Sequence, residues 1–409
     1  MRIGVLHPGT QHSWQTALAF QESGQLAWYA TSVFYTPNRW PYQLEGLLPA
    51  KAGAWLHAEF CRRYSPALDP ARVRRFGPWE WLETGARRLG QDGVAGWCNV
   101  IGNRSFCRQV IKLIEREPVD LVWGYNSSSL EVFQWAKQRG ITCVLDQTTW
   151  HAASQNRVAL EEQGRNPEFF EESYRPLDPE WIGRQDQEMA AADFVVVGSQ
   201  ACARTMLQNG CPPDKIHLIP YGYDSTMFPR TPPDRLPTGG RPVQFLFVGE
   251  VGPMKGVAYL LRAFQAIDPL KAKLTLVGRL AIPRETFKHY ASHVTHQPQV
   301  PRQAVARYFT GADCFIFPSL FEGGGRVLYE ARGAGLGIIQ SERCGDGVQA
   351  SKNGVMLAEV SAASVQTVVE QVTAAPEVLE AWQTASWTLR KRRTWSVYRQ
   401  ALAGLLSHA

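Results

Sequence analysis

No Cys-x-x-Cys pair occurs among the eight cysteines of this 409-residue chain, and no histidine stands at zinc-ligand spacing. That removes zinc ribbons and dithiol redox centres. Several cysteines fall inside apolar runs, Cys143 in ITCVLD and Cys314 in DCFIF, where free buried thiols of a reducing compartment are expected. No Asp-x-Asp pair is present to clamp a divalent ion, so no metal is expected. No Gly-x-Gly-x-x-Gly follows a strand-like run, which disfavours a dinucleotide binder. No apolar run approaches the roughly 18 residues that span a bilayer. The short run in MRIGVLHPG breaks at Pro8 and Gly9, too soon for a secretory core, and reads as a first strand of a cytoplasmic protein. Internal repeats and low-complexity tracts are also missing. The net charge of +6 is too small to indicate nucleic-acid binding, although it suits anionic substrates or an acidic membrane surface.

What is present points to two α/β domains. The length exceeds the size at which single cores usually stop growing, and 44% hydrophobic with 20% charged residues is an ordinary globular balance. Short, continuous apolar runs recur: IGVLH, LVWGY, TCVLD and FVVVGS in the first half, QFLFVG, LTLVG, CFIFPS and GIIQS in the second. Such runs suit strands buried on both faces of a parallel sheet, with helices between them. The stretch PRTPPDRLPTGGR has four prolines and two glycines, which neither a helix nor a central strand tolerates. The expected organisation is residues 1–228, a linker 229–241, residues 242–390, and a C-terminal helix 391–409 packing back on the first domain. Ligands of such folds bind beyond the carboxyl ends of the strands, here between the domains. The segment 40–108 mixes Arg62, Arg63, Arg72, Arg74, Arg75, Arg87 and Arg88 with Trp55, Phe76, Trp79, Trp81 and Trp97. It could face a membrane surface or a lipid-linked ligand, and the plainer, favoured reading is a solvated helical face with tryptophans in the domain core.

The most informative stretch is ADCFIFPSLFEGGGRVLYEARGAG, residues 312–335. A buried strand ends at Pro318, and a loop passes through Glu322 and three glycines into a helix that holds Glu330. Three glycines let backbone N–H groups approach a ligand closely, and a helix N-terminus favours an anion such as a diphosphate. Glu322 at its mouth and Glu330 in its second turn could both accept hydrogen bonds from hydroxyls of one ligand. Two surface acids favoured by the helix dipole are the plainer alternative.

This stretch resembles the Glu-x7-Glu signature of retaining glycosyltransferases of family 4, which have the GT-B fold of two Rossmann-like domains facing across a cleft. FLFVGEVGPMKGVAYLLRAFQAI, ADFVVVGSQACARTMLQNGCPPDKIHLIPYGYDSTMF and SKNGVML resemble further blocks of that family, in order; the likeness is weaker in residues 1–150. The resemblance implies that Glu322 binds donor sugar hydroxyls, with Gly323, Gly324 and Gly325 beside sugar and diphosphate. It implies that Glu330 holds the nucleotide ribose and that Lys255 neutralises the leaving diphosphate. It also carries over Gly9 in the first loop and His151 near the sugar, although a lone His there could equally pack against Trp150 or cap a helix. Where many relatives have a phosphate-binding Arg, this chain has Glu250, and Arg279 and Arg326 are the nearby cations that could compensate.

The resemblance therefore implies retaining transfer of a hexose-type sugar from a UDP- or GDP-type donor, by front-side displacement without metal or cofactor. The acceptor stays open among glycan, glycolipid and small molecule. A lipid-linked acceptor, peripheral contact with the inner face of an acidic membrane, and a place in polysaccharide biosynthesis fit the family's habits. A nucleotide-sugar-binding protein without turnover and a sugar-nucleotide epimerase of the same fold are the competing readings. A phosphorylase would need a pyridoxal-phosphate lysine motif, which is not evident.

Overall fold

The computed structural model describes residues 1–9, 11–36, 42–61, 64–77, 79–88, 90–228, 231, 240–349 and 351–405, with 44, 55, 58, 59, 87, 88 and 92 described by backbone alone. Residues 229, 230 and 232–239 of the expected linker fall outside the described residues, as do Arg62 and Arg63 and the side chains of Trp55, Arg87 and Arg88.

Two parallel sheets form the two lobes. The N-lobe sheet contains β1 (Ile3–Leu6), β2 (Leu26–Thr31), β3 (Val73–Arg75), β4 (Leu121–Tyr125), β5 (Thr142–Gln147), β6 (Phe194–Val197) and β7 (Ile216–Leu218). The C-lobe sheet contains β8 (Val243–Val248), β9 (Ala272–Val277), β10 (Val294–Gln297), β11 (Cys314–Phe317), β12 (Gly337–Ser341) and β13 (Gly354–Leu357). Their orders are β3-β2-β1-β4-β5-β6-β7 and β10-β9-β8-β11-β12-β13. Every paired strand is parallel, for example Val5 opposite Trp123 and Cys314 opposite Phe245. The continuous apolar runs explain this: β1, β4, β11 and β12 are buried at every position, as strands covered on both faces must be. In both lobes the order reverses beside the first strand, between β1 and β4 and between β8 and β11. The crevice that opens there is where doubly wound sheets bind ligands.

The lobes are joined by packing. Tyr223 N–H donates to the Arg393 carbonyl (2.9 Å) and Trp395 N–H to that of Tyr223 (3.2 Å). The helix Trp395–Leu405 lies on the helix Ser13–Glu22: Tyr398 and Thr16 hydroxyls are 2.9 Å apart, and Arg399 donates to Glu22 and Gln15, both at 2.8 Å. One hydrophobic cluster runs between the lobes through Tyr221, Tyr223 and Phe228. All eight cysteines are free, and only Cys61 is less than buried. Arg74 grips Glu117 through two hydrogen bonds (3.0 and 2.9 Å), and Arg72 donates to the Leu26 carbonyl (2.6 Å). Those two arginines of the basic–aromatic segment therefore brace the N-lobe sheet. Trp97, at 60% exposure, is left on its surface.

Candidate active site at the interlobe turn

The residues Pro318–Gly325 leave β11 and enter the helix Arg326–Gly333. Gly325 takes a left-handed conformation (φ 57°, ψ 43°) at the helix start, which side chains resist. Gly323 and Gly324 are needed for closeness. A Cβ at 323 would lie 1.8 Å from the Thr148 carbonyl oxygen, and one at 324 would lie 2.2 Å from the Tyr221 ring. The Ser199 hydroxyl accepts from Cys202 N–H (3.1 Å) and donates to the Gly323 carbonyl (2.6 Å). The turn is therefore clamped between the lobes, and the three glycines are what let it fit.

Lys255 reaches this turn from the neighbouring loop. After β8 the chain makes a short turn at Pro253–Lys255, and Gly256 (φ 70°) starts the helix Val257–Ala266. Lys255 Nζ meets Glu322 Oε2 at 2.5 Å, with both side chains about one-quarter exposed. Glu330, one helical turn in, is buried and accepts from Arg302 Nη2 at 2.6 Å. Each of the two expected acids thus holds one cation. Glu250 turns to Arg279, with which it forms an ion pair, so the acid that replaces the relatives' Arg is neutralised within its own lobe. Arg326 opens on the crevice. It lies close enough to Glu330 and Arg302 to feel both charges, which act on it in opposite directions.

His151 is placed differently. It caps the helix Ala152–Arg165 with Nδ1 accepting from Ala153 N–H (3.3 Å), and its Nε2 meets Asp186 at 2.8 Å. Its ring is buried with both nitrogens engaged, so it fixes the loop that bears Thr148 and Thr149 against Gly323. Gly9 lies beside His7 and lines a small N-lobe cleft with Trp79 and Asn103.

Sequence reasoning took His151 and Gly9 from the N lobe and missed the buried groups that stand behind the loops after β1 and β5. His12 Nε2 meets Asp146 Oδ2 at 3.2 Å, deep in the protein, and its ring packs on Tyr221 (4.1 Å between centroids), Trp395 and Tyr398. His7 stands beside Tyr125 (4.7 Å), and among the described residues neither of its ring nitrogens has a hydrogen-bond partner; Asp146 Oδ1 and the Tyr221 hydroxyl are likewise unsatisfied there. Burial first, and then the His12 charge, push the His7 pKa down to about 3. The signal was available. HPGTQH follows the first strand, and Asp146 ends β5, both at carboxyl ends where such folds bind ligands.

Comparison with known proteins fits this arrangement. Residues 49–222 match the family model described as glycosyl transferase 4-like domain, and residues 242–380 match the one described as glycosyl transferases group 1. A D-inositol 3-phosphate glycosyltransferase of Geodermatophilus obscurus is 27% identical over 222 residues, 48% of this chain and 49% of that protein. An alpha-maltose-1-phosphate synthase of Mycolicibacterium smegmatis is 26% identical over 183 residues, 40% of this chain and 46% of that protein. The chain thus spans about half the length of the curated relatives it matches. Among solved structures, sucrose-phosphate synthase from Thermosynechococcus elongatus is similar with a TM-score of 0.68 at 17% identity, covering 100% of this chain and 98% of that one. HepE of Anabaena in complex with UDP is similar with a TM-score of 0.65 at 12% identity, covering both chains completely. One glycosyltransferase family model on each lobe, and a likeness in fold that extends over the whole chain, support a glycosyltransferase of the GT-B fold.

Proposed function

We propose that this chain is a retaining glycosyltransferase that moves a hexose-type sugar from a nucleoside-diphosphate sugar to an acceptor hydroxyl. The observation that carries the reading is the Lys255–Glu322 pair at the glycine turn, with Glu330 and its own cation one helical turn further on. A donor can exchange partners at both acids. Its diphosphate takes Lys255 and the free N–H groups of the helix Arg326–Gly333, its hexose hydroxyls take Glu322, and its ribose hydroxyls take Glu330. Breaking the bond from C1 to the phosphate oxygen then builds negative charge beside Lys255, where a fixed cation lowers the barrier most. The acceptor oxygen attacks C1 from the same face, and its proton passes to the departing phosphate. No enzymic nucleophile, resident cofactor or metal enters these steps. Lys255 and the helix N-terminus supply the positive charge. The lobes, already joined through Ser199 and Gly323, would keep water from the donor.

The relatives' names support this reading. HepE has been solved with UDP and with UDP-glucose, which favours a nucleotide-sugar donor here. Solved structures of similar fold also include WaaG, described as involved in lipopolysaccharide biosynthesis, which fits a polysaccharide or glycolipid acceptor. No helix among the described residues is long and apolar enough to cross a membrane. Exposed Leu82, Val94, Trp97 and Val100 on the N lobe support peripheral contact with an acidic membrane.

The test is transfer from UDP- and GDP-sugars in the presence of EDTA, with the anomeric configuration of the product read by NMR. Glu322→Ala should lower kcat/KM by roughly 100-fold or more, while the wild type keeps the donor's configuration. Undiminished transfer in Glu322→Ala, or an inverted product, would refute the mechanism.

A further inference from the structure

The seam between the lobes holds a second feature, which adjoins the proposed donor site and shares Arg302 and Arg326 with its border. A cavity of about 620 Å³ lies between the start of the helix Ser13–Glu22, the start of the helix Arg326–Gly333, and the C-terminal helix Trp395–Leu405. Its charged lining is Arg302, Arg326, Arg399 and Asp224, three guanidiniums against one carboxylate. Asp224 is occupied locally, accepting from Thr226 N–H and from the Thr226 hydroxyl. Arg399 is anchored by Glu22 and Gln15, and Arg302 by Glu330. Arg326 forms no ion pair or hydrogen bond among the described residues, and it stands close enough to Arg302 to feel its charge. Glu330 and Glu322 lie near enough to offset part of that repulsion, and the cavity remains lined by three guanidiniums and a single carboxylate. Trp14 and Trp395 add two aromatic faces to the same lining.

We propose that this cavity binds a phosphoryl or carboxylate group borne by the acceptor sugar, with the arginines holding the anion and the tryptophan rings facing the sugar. This rests on the transferase reading and gives its acceptor a chemical class. The forked guanidinium matches the oxygens of such an anion, and two or three converging forks orient it. Lining from both lobes and from the C-terminal helix means that the complete site exists only when the lobes are together. Arg326 directly follows the glycine turn, so an acceptor held there would lie next to the reacting sugar. Phosphoryl groups have two sources, acceptor and donor. The distinguishing residue is Arg399, which belongs to the C-terminal helix and not to the turn that bears Glu322.

The experiment is calorimetric titration of the full chain, saturated with UDP or GDP, with glucose 6-phosphate and with glucose as probes. Glucose 6-phosphate should bind at least tenfold more tightly than glucose. Arg399→Gln and Arg326→Gln should each weaken glucose 6-phosphate at least tenfold, and Arg399→Gln should leave nucleotide affinity within twofold. Arg399→Lys, which keeps the charge and the lobe contact, should retain most of the binding if the Gln variant does not fold. Equal affinity for the two sugars, unchanged binding in the variants, or a parallel loss of nucleotide and sugar phosphate in Arg399→Gln would overturn the proposal. A chain that binds glucose 6-phosphate but neither nucleotide would instead defeat the transferase reading and leave the cavity's assignment intact.

Discussion

At the C-lobe switch point the loops carry accessible charge. Lys255 and Glu322 are one-quarter exposed, Arg302 covers Glu330, and Arg279 covers Glu250. At the N-lobe switch point, built on the same strand order, the loop after β1 carries buried rings, His7 and His12, against which Tyr221, just after β7, and Asp146, in β5, pack. Every acid of the first set is paired with a cation. The second set includes a histidine, a carboxylate oxygen and a phenol without hydrogen-bond partners among the described residues. The fold sets where a site opens, and the loop residues decide its chemistry. The paired charges are those the proposed donor would exchange, whereas the second set is shut away from solvent.

The contrast can be broken at the seam that separates the two sets. Gly323→Ala puts a methyl group onto the Thr148 carbonyl, a backbone atom that has little room to give. Overpacking of this kind costs about 2–3 kcal/mol, and roughly 100-fold in transfer rate if closure precedes chemistry. Small-angle scattering should show a more open chain. A fully active, equally compact Gly323→Ala protein would mean that the lobes need not meet at the turn.

A smaller effect sharpens the comparison from the N-lobe side. The His7 pKa is lowered from 6.5 to about 3. Above pH 6.5 the ring is neutral both folded and unfolded, and pH has no effect through it. Below 6.5 the unfolded chain takes up a proton that the folded one refuses, so stability falls with pH down toward 3. Between pH 7 and pH 5 that amounts to about 2 kcal/mol. Urea denaturation of the wild type should show this loss, and His7→Leu should lack it. Identical pH slopes for the two proteins would place His7 in solvent.

Legibility in the sequence followed burial. The expected strands coincide with β1, β4, β5, β6, β8, β9, β11 and β12, most of them buried apolar runs near the sheet centres. Those that escaped notice were mostly short or polar edge strands, VRR, IHL and VTHQ, which have only one neighbour to satisfy. LAWYAT escaped too, since Ala27, Ala30 and Thr31 dilute its apolar signal. In the site, Glu322 and Glu330 were legible as candidates from the glycine turn that leads from one to the other, and Lys255 only through the resemblance. Their partners were not: Arg302 stands 28 residues from Glu330 along the chain, and Asp146 stands 134 from His12. Nothing local encodes such pairings. They arise where β10, β11 and β5 deliver their loops to one crevice.

The exchange of partners at Lys255 is the claim on which the rest depends, and calorimetric titration with UDP and GDP tests it without an acceptor. The wild type should bind one of them, and Lys255→Ala should bind it roughly 30- to 100-fold more weakly, the loss expected when a charge-assisted contact of about 2–3 kcal/mol is removed. Equal affinity in the two proteins, or no binding of either nucleotide by the wild type, would contradict it.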